Sequence, residues 1–200
     1  MVKDRAVREP GKRMRSRLLD AAVALFKEKG LAGAAVADIA TAAGAYPSQV
    51  TYYFRTKEAL FVEAGCREVL YVARLAEAAA GRCTSSGDYN RALVETVFGA
   101  PGLALFVEAL SLTRRRQDLA PLVERTFDRL HAEGDRAYAD IRAKRGWSAA
   151  DDPATTARRF WTLALGVALR NGATGATEGE AIEEMLALLR RDPATNGGTV

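Results

Sequence analysis

Residues 38–60 read DIATAAGAYPSQVTYYFRTKEAL and contain most of two short helical segments separated by a three-residue turn. The segments span 36–43 and 47–54, and Gly44 opens the turn between them. Glycine adopts the left-handed backbone that reverses a chain after a helix, and Pro47 suits the first turn of the next helix. The spacing therefore predicts a helix-turn-helix.

A longer amphipathic helix is predicted on each side of this unit. Residues 13–29 carry apolar side chains at helical spacing, and Gly30 is the predicted stop. Thr56 is predicted to cap a helix that continues to about Ala80. The first three helices would form a domain over residues 12–56.

The rest of the chain keeps the helical period and shows no period-two strand pattern, so the predicted fold class is all-α with about nine helices. The Ser- and Gly-rich stretch 81–87 is predicted to be a loop and a domain junction, and 192–200 a tail. Further helices are predicted at 88–99, 102–116, 119–145, 153–171 and 178–190.

The positive charge is concentrated at one end of the 200-residue chain. Residues 1–60 hold 11 Lys or Arg against 6 Asp or Glu, whereas the remaining 140 residues hold 18 against 19. A basic N-terminal part attracts a polyanion. The arm 1–11 and the start of the first helix carry seven cations: Lys3, Arg5, Arg8, Lys12, Arg13, Arg15 and Arg17. Both a solvated tail and an arm that contacts DNA are consistent with these cations.

Several classes of protein are disfavoured by the composition. No uncharged apolar run approaches the roughly 18 residues that cross a bilayer. Cys66 and Cys83 fit neither a zinc site nor a disulfide framework, so we expect reduced thiols in a cytoplasmic protein. One histidine, no Gly-rich phosphate loop and no paired-carboxylate signature argue against an enzyme, and no cofactor or metal is expected.

The stretch 38–60, with its neighbours, resembles the TetR family of one-component transcriptional repressors. The matching positions are Ile39-Ala40, Ala43-Gly44, the aromatic run Tyr52-Tyr53-Phe54 and the helix opening Lys57-Glu58-Ala59-Leu60. The resemblance implies a three-helix DNA-binding domain whose third helix is the recognition helix. It also implies a C-terminal helical domain, 57–191, for effector binding and dimerisation.

The recognition helix is predicted to enter the major groove. Gln49 is the first candidate for direct readout because an amide pairs bidentately with adenine, whereas Tyr52, Tyr53 and Lys57 are candidates for phosphate contacts. Val50 and Phe54 should pack inward, and Tyr53 taken alone could also be a core residue. The predicted DNA-binding residues are Arg5, Arg8, Lys12, Arg13, Arg15, Val36, Ala37, Pro47, Ser48, Gln49, Thr51, Tyr52, Tyr53 and Lys57.

One departure from the family pattern lies at the start of the second helix. Family members usually have Thr or Ser there, which caps the helix and contacts a phosphate, but this chain reads Ala34-Ala35-Val36-Ala37. A backbone amide could still bind phosphate there. The hydroxyl contact is impossible.

Two sets of apolar residues are predicted for the C-terminal domain, and packing in the protomer's own core is the alternative for each set. Predicted pocket residues are Phe98, Phe106, Leu110, Phe127, Leu130, His131, Tyr138 and Trp161. Predicted dimer-interface residues, on the last two helices, are Phe160, Leu163, Val167, Ile182, Met185, Leu186 and Leu189.

These features predict a homodimeric repressor that binds a palindromic double-stranded DNA operator and is released by a small-molecule effector, with no membrane partner. A non-specific architectural DNA-binding protein is the alternative, and it would bind all sequences with similar affinity. Residues 49–70 also resemble actinobacterial repressors of biotin and lipid metabolism.

Overall fold

The computed structural model describes residues 2–148 and 151–190, with side chains from Pro10 onward within those ranges. This part of the chain forms nine α-helices and one 3₁₀ turn and has no strand. The all-α prediction is confirmed. The helices are α1 (Val2–Gly33), α2 (Val36–Ala42), α3 (Pro47–Phe54), α4 (Lys57–Ala80), α5 (Ser86–Phe98), α6 (Pro101–Thr113), α7 (Ala120–Arg145), α8 (Pro153–Thr174) and α9 (Glu178–Arg190); the 3₁₀ turn is Gln117–Leu119.

Helices α1, α2 and α3 pack around one small core, to which Leu18, Ile39, Val50 and Phe54 contribute buried side chains. The inward orientation predicted for Val50 and Phe54 is confirmed by exposures of 2% and 4%. Each helix buries the stripe that its apolar period defines. The third helix is thereby held with its opposite face outward.

The first helix begins earlier than its sequence pattern predicts. Its backbone is helical from Val2 instead of from residue 13, so the backbone of 2–11 continues into α1. Pro10 lies inside the helix. At the other end Gly30 has φ +66°, a backbone that ends the regular helix where the stop was predicted, although one further turn extends to Gly33.

Helix α4 is the central element, because it packs against α1 and α3 at its beginning and against α5, α6 and α7 further along. Its contact with α6 is close at Gly65, where an added Cβ would lie 2.9 Å from the Ala109 Cβ. Gly102 on α6 meets Val72 of α4 equally closely, at 2.9 Å. Helix α4 therefore connects the N-terminal helices to the C-terminal helices.

Helices α7, α8 and α9 complete the C-terminal part, with α8 packed against α6, α7 and α9. No single helix in 2–148 or 151–190 is long and apolar enough to span a bilayer. Taken together, α5 and α6 have the length and apolar composition of a membrane span, but the pair is bent by 64°. The same residues contain no group of three or more His, Cys, Asp or Glu arranged to hold a metal ion.

Candidate DNA-binding surface and ligand cleft

Helix α3 presents a polar face to solvent. Pro47, Ser48, Thr51 and Tyr52 are exposed, and Tyr52 has 80% of its surface accessible. The adjacent Tyr53 is half-buried, and its ring meets that of Tyr52 edge to face at 4.9 Å. Because no acidic side chain lies on this helix, its outer face can approach a polyanion.

The Gln49 side chain caps the start of α3, in addition to its predicted role in reading a DNA base. Its Oε1 accepts a hydrogen bond of 3.0 Å from the Tyr46 backbone N–H and so closes the first turn of α3. Bidentate pairing with adenine needs the same oxygen as an acceptor and the Nε2 as a donor. While the cap is in place, Gln49 chiefly offers the Nε2 donor to a base.

The link between α3 and α4 is a tight turn at Arg55. Its φ of +67° and ψ of −54°, with a 2.8 Å hydrogen bond from the Thr56 N–H to the Phe54 carbonyl, describe a γ-turn with positive φ. Such backbone is rare for a residue other than glycine. Thr56 then caps α4 as predicted, since its Oγ1 accepts from the Ala59 N–H at 3.1 Å.

Lys57 does not extend freely toward solvent. Its Nζ donates to the carbonyl oxygens of Leu31 at 2.8 Å and Ala34 at 3.2 Å, which belong to the end of α1 and the link to α2. Two of the three ammonium protons are therefore used inside the protein. The phosphate contact predicted for Lys57 has to rely on the third, and the side chain mainly joins α4 to the first two helices.

The cations of α1 divide into structural and exposed groups. Arg15 donates to Glu63 at 2.6 Å and lies 4.7 Å over the Phe54 ring, so this predicted DNA contact belongs largely to the packing of α1 against α3 and α4. Arg17 donates to the carbonyls of Ala43 and Gly44 and thereby braces the helix-turn-helix turn.

Lys12 and Arg13 are exposed beside α3. An added Cβ at the neighbouring Gly11 would lie 3.5 Å from the Tyr53 hydroxyl, which shows how closely this part of α1 approaches the recognition helix. The side chains of Arg5 and Arg8 lie outside the described residues.

The start of α2 has no side-chain cap, as its sequence predicted. Ala35 occupies the cap position with extended backbone, and Ala37 is exposed while Val36 is half-buried. Gly44 has φ +60°, the left-handed conformation predicted for the turn that follows α2.

Three ion pairs join α1 to α4. They are Arg15 with Glu63, Asp20 with Arg67 at 2.6 Å, and Lys27 with Glu68. The Glu68 side chain is 9% exposed and its backbone packs against Gly102 of α6. Glu58, in the first turn of α4, lies 3.6 Å from Arg116 near the end of α6. The helix-turn-helix part is thus connected to α4 by ion pairs, and α4 is connected to the region after α6.

Two cavities lie side by side among the C-terminal helices. One, of about 140 Å³, is lined by residues of α5, α7 and α8, including Tyr89, Tyr138, Arg142 and Arg159. The other, of about 40 Å³, adds α4 and is almost entirely apolar. Tyr89 and Tyr138 line both, so the two cavities form one cleft divided by these rings.

Three of the predicted pocket residues, Leu130, Tyr138 and Trp161, line this cleft. The other five line neither cavity: Phe98, Phe106, Leu110, Phe127 and His131. Three of those rings form a separate cluster between α6 and α7, with centroids 5.7 Å apart for Phe106 and Phe127 and 5.9 Å for Phe127 and His131. Their apolar period reflects that packing.

Comparison with known families identifies the group to which this chain belongs. Residues 18–64 match the family described as bacterial regulatory proteins, tetR family, and residues 86–190 match the one described as bacterial transcriptional repressor C-terminal. The chain belongs to the TetR family. It is a DNA-binding transcriptional regulator of a family that is not enzymatic.

Solved structures agree with this assignment. The chain is 36% identical to a transcriptional regulator from Rhodococcus sp. RHA1, with a TM-score of 0.76 over 88% of this chain and 93% of the other. It shares 26% identity and a TM-score of 0.56 with the multidrug binding protein EbrR, solved with imidazole, over 87% and 93%. A TetR-family regulator from Mesorhizobium loti shares the fold at 21% identity, with a TM-score of 0.66 over 90% and 94%. A search of curated proteins finds no match to the chain.

Four of the seven dimer residues predicted for this TetR-family regulator are buried within the single chain. Phe160, Val167, Met185 and Leu186 are 0–5% exposed in the single chain, so they belong to the protomer's own core, and Phe160 also lines the apolar cavity. Leu163, Ile182 and Leu189 are half-buried. The exposed apolar surface of α8 is centred instead on Leu169, which is 56% exposed.

Sequence reasoning did not single out Tyr46 or Arg55, and it listed Arg17 as a possible DNA contact without predicting its structural role. Tyr46 is 77% exposed just before α3, Arg55 is exposed at the γ-turn, and Arg17 braces the turn between α2 and α3. An aromatic residue directly before a helix-opening proline was an available signal for Tyr46. Nothing local to Arg17 indicates which carbonyls it meets, because they lie 26 and 27 residues away.

Proposed function

We propose that this regulator is a repressor that binds a palindromic operator as a dimer in the cytoplasm and leaves it when a small molecule binds. The supporting observation is the geometry of α3, which anchors Val50 and Phe54 in the core and leaves Ser48, Thr51 and Tyr52 outward. An α-helix with a polar outer face fits the major groove of B-DNA. The outward residues would then reach base edges or phosphates.

Direct readout would be shared between hydroxyls and one amide. Ser48 and Thr51 both donate and accept, so each tolerates several bases. Gln49 offers its Nε2 donor without loss of the cap on Tyr46, and acceptors such as the N7 of a purine suit that donor. A purine preference at one position of each half-site follows.

The grip on the phosphate backbone would come from elements that flank α3. Lys12 and Arg13 are exposed on α1, and the predicted arm carries further cations ahead of them. Ala37 leaves the start of α2 without a hydroxyl, so only backbone amides serve a phosphate there. Cationic contacts of this kind add affinity and salt dependence more than selectivity.

Dimerisation would use the outer surface of α8 and α9. Leu169 and the adjoining Leu165, Gly166 and Ala173 follow one face of α8, and an added Cβ at Gly166 would meet nothing within 4 Å. Small residues beside exposed leucines allow two helices to approach closely. Two such protomers would place two recognition helices on one palindrome.

Release would require a ligand that prefers a different arrangement of the helices. The route from the cleft to DNA would run through α4, because α4 lines the cleft with Ala76 and is tied to α1 by ion pairs such as that of Arg67 with Asp20. The similarity to EbrR, a multidrug binding protein, supports a small molecule as effector. A shift of α4 would carry the DNA-binding helices with it.

The experiment is selection of duplexes from a randomised library by the full-length protein, followed by competition against random DNA. We expect enrichment of an inverted repeat and a specific affinity at least about 1,000 times that for random duplex. Absence of any enriched sequence would favour the architectural DNA-binding alternative. Genes of biotin and lipid metabolism are the first places to search for the selected site.

A substitution of Gln49 distinguishes its proposed contact with a DNA base from its role in capping α3. Gln49→Glu keeps an oxygen for the Tyr46 N–H, so the helix start is preserved, while it removes the amide donor and adds a negative charge that should also lower the overall affinity for DNA. We expect a change of base preference at one position of each half-site. Gln117→Glu, the same substitution at the only other glutamine, is the control and should leave the selected sequence unchanged.

A further inference from the structure

The cleft has one polar end and one apolar end. Arg142, Arg159, Asn90 and Thr156 line the larger cavity beyond the two tyrosines, on the side where the cleft contains its cations. The smaller cavity is walled by Ala76, Leu93, Val97, Leu130, Phe160 and Trp161. A ligand that fills both must therefore carry a polar head and an apolar body.

The two tyrosines that divide the cleft are buried without hydrogen-bond partners. Tyr89 is 4% exposed and Tyr138 is 8% exposed, and their rings meet at 5.7 Å. Neither hydroxyl makes a hydrogen bond to any residue in 10–148 or 151–190. The fully enclosed side-chain atoms without a partner in that part of the chain are Arg145 Nε and Asn171 Nδ2, so both phenol oxygens remain accessible from the cleft.

These phenols are neutral hydrogen-bond donors. Burial raises the pKa of Tyr89 to about 12 and also raises the pKa of Tyr138, with the Glu77 carboxylate adding to the first effect. Because both phenol oxygens are accessible from the cleft, each hydroxyl can donate to an acceptor on a ligand bound there. The two donors lie on rings whose centres are 5.7 Å apart, and both rings line the cleft.

The charges at the polar end favour an anion. Arg142 donates to the Asp151 carbonyl at 2.7 Å and to the Thr156 Oγ1 at 2.8 Å, and its guanidinium lies 5.8 Å from the Tyr138 ring centre. Arg159 donates to the Asp151 carboxylate at 3.3 Å. Arg142 has no carboxylate within ion-pair distance among residues 10–148 and 151–190, so its positive charge is available to an anion. Two of the five N–H groups of Arg142 are used in these bonds.

The carboxylates near the apolar end belong to other contacts or lie outside the polar cavity. Glu133 is paired with Arg129 at 2.6 Å. Glu77 lines the smaller cavity and not the larger one. Among the described residues that line the larger cavity, Asp151 supplies the carboxylate, and Arg159 already donates to it.

The volume limits the size of the ligand. The larger cavity, at about 140 Å³, is close to the roughly 150 Å³ of an engineered protein cavity that holds benzene. The smaller one adds about 40 Å³. A single six-membered ring with a short acidic head fits these dimensions.

We propose that the cleft binds a small monocarboxylate with one ring or an equally small apolar body, its carboxylate accepting from Tyr89, Tyr138 and Arg142. The apolar body lies toward Leu93 and Trp161. The regulatory consequence of this binding rests on the proposed function, whereas the binding itself does not.

The test uses phenylacetate as the probe, with the full-length protein. Both tryptophans of the chain line the cleft, Trp147 at the polar end and Trp161 at the apolar end, so intrinsic fluorescence reports binding. We expect saturable binding with Kd near or below about 1 mM. Phenylacetamide and the phenethylammonium ion should each bind at least about tenfold more weakly. No saturation by phenylacetate up to about 10 mM, or equal affinity for all three, would overturn the proposal.

Two variants locate the binding site. Tyr138→Phe removes only a hydroxyl that has no described partner, so it should fold normally and weaken phenylacetate binding by about tenfold. Arg142→Gln should weaken it at least as much. Tyr71→Phe and Arg136→Gln change exposed residues outside the cleft and serve as controls. Wild-type affinity in the Tyr138→Phe protein would refute the assignment of the hydroxyl, whatever the stability of the arginine variant.

Operator affinity distinguishes the inference from the proposed function. If phenylacetate binds with the expected dependence on Tyr138 but leaves affinity for the selected operator unchanged, the ligand class stands and release by this ligand class is refuted. If an operator is selected and no carboxylate binds, the DNA-binding function stands and the ligand class is refuted.

Discussion

Substitution of Gly65 by alanine tests the close contact between α4 and α6. The new Cβ would lie 2.9 Å from the Ala109 Cβ, 3.0 Å from the Leu105 carbonyl oxygen and 3.3 Å from the Phe106 Cα. None of these atoms is the end of a flexible side chain. The two helices must therefore separate by several tenths of an ångström along their contact.

Two opposing effects set the magnitude. Overpacking of this kind costs about 1–3 kcal/mol, while alanine in place of glycine inside a helix contributes about 1 kcal/mol of stability. The net expectation is a loss of about 1 kcal/mol in the free energy of unfolding, within a range of about 0–2 kcal/mol. For a domain of this size a loss of about 1 kcal/mol corresponds to roughly 2–4 °C in Tm.

Gly172→Ala is the matched control. Gly172 is also helical, near the end of α8, and an added Cβ there would meet nothing within 4 Å. Only the helix-propensity gain remains, so this variant should be unchanged or more stable by up to about 1 kcal/mol.

Urea unfolding followed by circular dichroism, at one fixed protomer concentration, compares the two proteins. We expect Gly65→Ala to have the lower midpoint and Gly172→Ala one equal to or above that of the parent. Equal midpoints for the two variants would refute the close α4–α6 contact as a source of rigidity.

Further predictions concern DNA affinity, assembly and pH. Lys57→Met should weaken operator binding but change little the slope of log affinity against log salt concentration, because the Lys57 ammonium donates to two backbone carbonyls. Arg13→Ala should lower that slope by about 0.9. A similar drop for Lys57→Met would indicate a phosphate contact. Leu169→Glu should yield monomers in light scattering, because it removes about 1 kcal/mol of apolar burial per protomer and places a charge in the interface. The control, Leu75→Glu, changes another exposed leucine and should leave the dimer intact. Burial lowers the pKa of His131, so over part of the acidic range the unfolded chain binds a proton that the folded chain does not. The free energy of unfolding should therefore fall as the pH drops from about 7 to about 5.5. In urea titrations His131→Gln should lose that part of the pH dependence, and an unchanged pH profile would contradict the prediction.

The helical framework was predictable because its signals are local. The turn at Gly44, the Thr56 cap and the inward positions of Val50 and Phe54 all follow from residues a few positions apart. The early start of α1 was missed because the apolar spacing begins only after residue 13, yet the backbone is helical from Val2 and through Pro10.

Roles of individual side chains were less predictable. Gln49 and Lys57 are polar residues in a DNA-binding motif, and sequence alone favours a nucleic-acid contact for both. The structure shows that each also bonds to the backbone, Gln49 to Tyr46 and Lys57 to Leu31. Polar side chains near helix ends form hydrogen bonds with the unpaired backbone amides and carbonyls there. Which of these groups lie within hydrogen-bond distance cannot be read from the sequence when they are far apart along the chain.

The C-terminal half shows the same division most clearly. By itself the sequence determined that α8 and α9 have apolar stripes and that the chain folds as helices. Only the tertiary structure decided that Phe160 and Met185 face the protomer's interior, that Leu169 faces outward, and that Tyr89 and Tyr138 meet in a cleft. The physical reason is that periodicity defines which face of a helix is buried, whereas the helix that covers that face is set by packing across long separations in the chain.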